Sequence, residues 1–183
     1  MSSSSGESTA IGFLSIRLHP ELGYFGGYLV LNAIGRPLEF HCTLPVRASR
    51  AQEILFGNTL EDFICGEQIA RALVSKAKFA SCFVVTDVTA VLSLRRVHSQ
   101  PVVHINVPAA SPASSMIYPV GQPIQLSGFT AAENKISVLP EFAADKSVVQ
   151  QHVERIAPKI DFMEPFGRIA EALLEAHPAA KAA

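Results

Sequence analysis

The sequence predicts an α/β domain: a mixed sheet that opens with a three-stranded antiparallel meander, has helices packed on it and ends in C-terminal helices; an α+β arrangement is the alternative. Three observations predict it. Residues 12–19 alternate, with Phe13, Ser15, Arg17 and His19 on one side and Leu14, Ile16 and Leu18 on the other, the period of a half-buried strand. Beyond about Pro45 the apolar spacing becomes that of a helix. From Phe79 to Asp87 the chain is a continuous apolar run, as in a strand covered on both faces.

Element by element, residues 1–10 are rich in Ser and read as a flexible tail; they lack the basic start and long apolar core of a secretory signal. Pro20 ends the first strand, because it lacks a backbone donor. Leu22 to Gly27, with Gly23, Gly26 and Gly27, reads as a turn. Tyr28 to Asn32 is the second strand, and Leu38 to Leu44 the third, with Glu39, His41 and Thr43 outward. Their short connections imply antiparallel hairpins. Ser49 to Phe56 reads as a helix stopped by Gly57, and Thr59 as the N-cap of a second helix running to about Lys78. Gly66 inside that helix costs about 1 kcal/mol relative to Ala, which a close helix–sheet contact explains.

Asp87 closes the buried run, and Val88 to Arg96 fits either a short helix or a strand. Pro101 to Val107 reads as a further strand, and the strand–helix–strand order implies a parallel crossover. Residues 108–123 read as a long irregular loop, followed by short strands near Ile124 and Ile136. Asp145 caps a helix that carries Val149, Val153 and Ile156 and that Pro158 interrupts. A last helix after Pro165 has the stripe Phe166, Ile169, Leu173 and Leu174, and 178–183 reads as a second tail. The domain therefore spans 11–177.

Composition bounds the function. Of 183 residues, 49% are hydrophobic and 17% charged, and 15 Lys+Arg against 16 Asp+Glu leave a net charge of -1. That excludes a wholly disordered chain and disfavours a general electrostatic binder of nucleic acid. No apolar run reaches the ~18–20 residues of a membrane span. A mean hydropathy of +0.28 then points to a full core or to an exposed apolar patch for a partner. Cys42, Cys65 and Cys82 form no Cys-x-x-Cys pair and read as core thiols in a reducing cytoplasm.

Candidate chemistry centres on Asp87, which stands where ligands bind in α/β sheets, beyond a strand's C-terminal end. A metal-dependent phosphodiester reaction needs convergent carboxylates around Mg²⁺ or Mn²⁺; Glu39 and Asp62, or Glu61 and Glu67 beside it, are the candidates. Capping of the next segment is the plainer role for Asp87. Arg95 and Arg96 form a basic pair suited to a phosphate or an acidic partner. The six His show no metal-ligand spacing; His41 and Cys42, adjacent on a strand, point to opposite faces. There is no Gly-x-Ser-x-Gly elbow, and the glycines at 23–27 precede no Lys-Ser/Thr, so neither a serine hydrolase nor a phosphate loop is encoded.

The order β-β-β-α-β-(α)-β over about 11–107 resembles that of ribonuclease H-like domains. The resemblance implies that fold and a metal-dependent nuclease or phosphohydrolase. That family carries a catalytic Asp in its first strand, where this chain has Ser15 and Arg17 and no acid. The segment Gly23 to Phe56, with Gly-Gly-Tyr-Leu-Val-Leu-Asn and Gly-Arg-Pro-Leu-Glu-Phe-His-Cys, resembles bacterial proteins of similar length without an assigned activity, which implies a bacterial, cytoplasmic origin. The expectation is a non-catalytic binding or assembly module without a cofactor, joined to a protein partner or to itself; the alternative is the metal-dependent hydrolase.

Overall fold

The alternating start of the chain folds as β1 (Ala10–His19), paired antiparallel with β2 (Gly23–Asn32) from Ala10↔Asn32 to His19↔Gly23. The computed structural model describes residues 9–106, 125–131, 134–156 and 160–181. In it β3 (Pro37–Cys42) lies antiparallel to β2, while β4 (Val84–Thr86) and β5 (Val102–Ile105) run parallel to β1. The hairpin of β6 (Ser127–Ala131) and β7 (Asn134–Val138) closes the far edge, giving the order β3-β2-β1-β4-β5-β7-β6. The mixed α/β sheet and its antiparallel opening are as the periodicity predicts.

The glycines of β2 act differently from the expectation. The hairpin turn is Pro20–Leu22, closed by His19, whose Nδ1 accepts the backbone N–H groups of Glu21 (3.2 Å) and Leu22 (3.3 Å). Residues 23–27 are strand, and of their glycines only Gly23 has a left-handed backbone, with φ 93°. Gly26 and Gly27 serve packing instead. A Cβ on Gly26 would stand 2.8 Å from Ile69 on one face, and a Cβ on Gly27 2.8 Å from Ile169 on the other. Small residues here let helices close on both faces of one strand.

One face is covered by an irregular layer. α1 (Arg50–Phe56) passes through a 3-10 turn (Gly57–Thr59) into a π-helix (Asp62–Ala70) and then α2 (Arg71–Lys76). With a 3-10 helix (Thr89–Arg96), this layer buries Ile64, Ile69, Leu73 and Val91 against Leu14, Ile16, Tyr28 and Val84. The other face is covered by α3 (Asp145–Ile156), α4 (Glu164–Ala176) and α5 (Pro178–Lys181). There Val149, Val153, Phe166 and Ile169 share a core with Phe13, Phe25, Val85 and Val103.

Several boundaries differ from the sequence reading, each for a local reason. Gly57 does cap α1, with φ 51°, but Thr59 starts no new helix; its hydroxyl donates to the Phe56 carbonyl at 2.8 Å and the chain stays helical through it. Gly66 meets the 3-10 helix, not the sheet: a Cβ there would overlap Ser93 Oγ and stand 2.8 Å from the Leu94 nitrogen. Regular strand in the apolar run is confined to Val84–Thr86, and Phe79 is exposed. Within the expected C-terminal tail, Pro178–Lys181 is helical and Ala180 is buried. Ala10, expected in the N-terminal tail, pairs in β1. Residues 1–8, the expected loop 108–123, Pro158 and residues 182–183 lie outside the described residues. No helix among the described residues is long and apolar enough to cross a membrane.

Candidate functional site

β1 and β4 lie side by side and parallel, in the register Gly12↔Val84, Phe13↔Val85 and Leu14↔Thr86. Beyond β1 the chain turns to β2 on one side; beyond β4 it proceeds to β5 on the other. Ligands of open α/β sheets bind at such a divergence, past the strand ends. Ser15 and Arg17 occupy that end of β1, and Asp87 directly follows β4. Strand alternation puts all three on the face of Phe13 and Val85, the one covered by α4.

They are bonded to one another. Ser15 Oγ donates to Asp87 Oδ1 at 2.5 Å, and Arg17 Nη2 donates to Asp87 Oδ2 at 2.8 Å. The Arg17 and Asp87 side chains are only 8% and 7% exposed, so the pair is withdrawn from water. Arg17 Nη1 reaches the Ile16 carbonyl at 3.3 Å, while its Nε is buried without a hydrogen-bond partner. Asp87 does not cap the next segment: the Val88 N–H is taken by Thr86 Oγ1 at 3.2 Å, and the 3-10 helix has no side-chain cap. On the opposite face, His104 pairs in register with Thr86. Burial pushes its imidazole below the ordinary value of 6.5, against the upward pull of the Asp87 charge and backbone, so it is neutral at pH 7.

The other candidate acids do not join Asp87. Glu39 stands opposite Val30 on β3, facing the irregular helical layer. Its carboxylate accepts the backbone N–H groups of Lys78 (3.0 Å) and Phe79 (2.8 Å) and bonds His41 Nε2 at 3.0 Å. Burial works to raise its pKa, but these hydrogen bonds and the His41 charge prevail and hold it below the ordinary 4.5. Three strand spacings, roughly 14 Å, separate Glu39 from β4, and the sheet itself lies between it and Asp87. Asp62 sits in the π-helix on that same opposite face, where burial raises its carboxyl, Arg96 lowers it and Glu67 raises it further. The Glu61 carboxyl is likewise raised, by burial and then by Asp62. Among the described residues no group of three or more His, Cys, Asp or Glu is placed to hold a metal ion. Asp87, with both oxygens taken and a guanidinium against one of them, does not fit a Mg²⁺ or Mn²⁺ ligand set.

Arg95 and Arg96 are each paired with one of the protein's own acids. Arg95 grips Asp145 through Nε (2.7 Å) and Nη2 (3.3 Å), donates from Nη1 to the His98 carbonyl at 2.9 Å, and lies 4.4 Å from the Phe142 ring centre. Arg96 pairs with Glu141 at 2.8 Å on the surface, both side chains about half exposed. Arg95 thus fastens the 3-10 helix to the start of α3, and Arg96 fastens it to the 3-10 turn Pro140–Phe142 before α3. Sequence reasoning identified Asp87 but not its partner. The one available signal was that Arg17 shares its side of the strand with Phe13; once that side is core, a buried charge needs a counter-charge.

A second region bears on partner binding. α1 has no buried residue, and Leu44, Ile54 and Leu55 are 81%, 66% and 82% exposed. Phe79 and Ile34 add exposed apolar surface near the β3 edge. Against known proteins, no family model matches the chain and no curated protein is significantly similar to it.

Proposed function

We propose that the chain is a non-catalytic binding or assembly module acting on a protein partner or on itself, without a cofactor. The observation that carries this reading is the closed Ser15–Arg17–Asp87 cluster at the sheet's divergence point. A hydrolytic site needs carboxylate oxygens free to hold a cation. Here the cation is a fixed guanidinium, and the two other candidate acids lie across the sheet. The strand order β3-β2-β1-β4-β5, with β4 and β5 parallel to β1, supports the resemblance to ribonuclease H-like domains. On that reading Ser15 and Arg17 stand in the strand where the family's acid would be, which favours binding over cleavage within the same architecture. Cys65 is a buried thiol, whereas Cys42 is exposed on β3 and not the core residue expected; free thiols of both kinds support a reducing cytoplasm.

The test is a cleavage assay on single-stranded and duplex nucleic acid and on a phosphodiester reporter, with Mg²⁺ and then Mn²⁺. No turnover above buffer is expected from the purified chain. Metal-stimulated turnover that disappears in Asp87→Asn would overturn the reading and restore the hydrolase.

A further inference from the structure

We infer that α5 is a lid: it closes over the Nε edge of Arg17 at the divergence point and opens about His177 while the sheet stays folded. This device goes beyond the module reading and does not rest on it.

Two buried side-chain nitrogens lack a hydrogen-bond partner among the described residues, Nε of Arg17 and Nε2 of His177. Both belong to residues that lie against one ring. Arg17 stands opposite Phe25 in the β1–β2 register, so the two side chains are neighbours on the α4 face. His177 meets the same Phe25 edge-on, with ring centres 4.9 Å apart. Arg17 is only 7% exposed. Buried polar groups of folded proteins are nearly always paired, because an unmade hydrogen bond leaves the whole desolvation cost standing. Two such atoms in one corner favour its opening to water.

The cover over them is weakly held. α4 ends at Ala176, and the His177 N–H still bonds the Leu173 carbonyl at 2.9 Å, but the backbone of His177 (φ -126°, ψ 74°) has left the helix. α5 follows as a single turn, closed by the Ala180 N–H on the His177 carbonyl at 2.9 Å. A helix of four residues has no stability of its own. Pro178 and Ala179 are exposed, and Ala180 puts one methyl group into the core shared by Phe25 and Leu173. One buried methyl set against two polar atoms without partners leaves the closed and open forms near balance. His177 is the hinge: turning its backbone lifts α5 and takes the imidazole off Phe25. Meanwhile Asp87 keeps its hold on Nη2 of Arg17. Opening hydrates both nitrogens and bares the position past the strand ends where α/β sheets receive ligands.

Native-state hydrogen exchange of the full chain, followed by NMR at rising urea below the unfolding transition, reads this directly. The Arg17 Nε–H makes no hydrogen bond, so whatever protects it from exchange is cover alone. It should be at least roughly 100-fold less protected than the β1–β2 amides. Its rate should also stay flat in urea where theirs climbs, since lifting one turn exposes little surface. Ala180→Asp, which puts a charge at the buried position of α5, should speed it roughly tenfold. His177→Phe keeps a ring against Phe25 but removes one of the nitrogens that opening hydrates, so it should slow the exchange about fivefold. Loss of a merely structural residue would speed it instead. An Nε–H whose rate climbs with urea in parallel with the strand amides overturns the inference, because it then opens only with the whole fold. So does indifference to Ala180→Asp, or exchange that His177→Phe fails to slow. The urea dependence of the wild type decides the matter even where a variant does not fold.

Discussion

Two buried arginine–aspartate pairs hold different parts of this molecule, and they are built to different degrees of completion. Arg95 meets Asp145 side-on with two nitrogens, gives its third to the His98 carbonyl and lays its plane near Phe142. Arg17 meets Asp87 end-on through one nitrogen, and its Nε has no partner. Yet the less complete pair is the deeper one: 8% and 7% exposed, against 20% and 10% for Arg95 and Asp145. Depth and satisfaction are thus separate properties. A pair inside a sheet loses more hydration, and its geometry is set by strands that the core has already fixed in register. A pair between two helix ends can adjust until every donor is used.

The largest expected effect comes from breaking the deeper pair on one side only. Arg17→Met leaves Asp87 buried without a counter-charge and should destabilise the fold by about 3–5 kcal/mol, read from urea unfolding. Removing both partners, as Arg17→Met/Asp87→Leu, should recover most of that loss, because no charge remains to be desolvated. A double variant as unstable as the single one would mean that shape at the divergence point, and not charge, is what Arg17 supplies.

Arg95→Met should cost less, about 2–3 kcal/mol by the same measurement. The stranded Asp145 stands in the first turn of α3, where the helix dipole favours a negative charge. A loss from Arg95→Met equal to that from Arg17→Met would show that burial depth does not separate the two pairs.

Glu39 extends the comparison to an acid compensated mainly by backbone N–H groups. Its folded pKa is lowered, so the stability it contributes is complete above the unfolded value, near 4.5, and disappears as pH falls through the folded value. Glu39→Gln should be less stable than wild type by about 1 kcal/mol at pH 7, and the two should converge in acid below pH 4.5. A difference that persists unchanged into acid would assign the effect to hydrogen-bond shape instead of charge.

The comparison also marks what could be read from the residues alone. α3 and α4 were legible because each buries one face, and the period of that face survives in the sequence. β1 was legible as a strand but is buried on both faces, and β3 turns its expected sides round: Phe40 and Cys42 are exposed while Glu39, expected outward, faces the helical layer. The π-helix was not legible: Ile64, Ile69 and Leu73 suit a helix in general, and nothing in their spacing tells an i→i+5 ladder from an i→i+4 one. Gly26 and Gly27 suggest a turn because conformational freedom is glycine's usual use. Here its missing side chain matters more, and that shows only once Ile69 and Ile169 are in place. Asp87 could be found from its position at a strand end, whereas Arg17 reads as the outer side of a half-buried strand. Only the arrival of α4, more than a hundred residues later, turns that side into core.

Arg96 provides the smallest test and the finest one. Its pair with Glu141 is about half exposed, so Arg96→Ala should change global stability by less than about 1 kcal/mol. Arg96 also faces Asp62, whose carboxyl is raised by burial, lowered by Arg96 and raised again by Glu67. Removing the arginine takes away this downward pull, so the Asp62 carboxyl should titrate at still higher pH, measurable by carbon-detected NMR of the side chain. An Asp62 that does not move would place Arg96 wholly with Glu141, as a surface pair whose influence ends at its own contact, in contrast to Arg95, which ties the same 3-10 helix to α3.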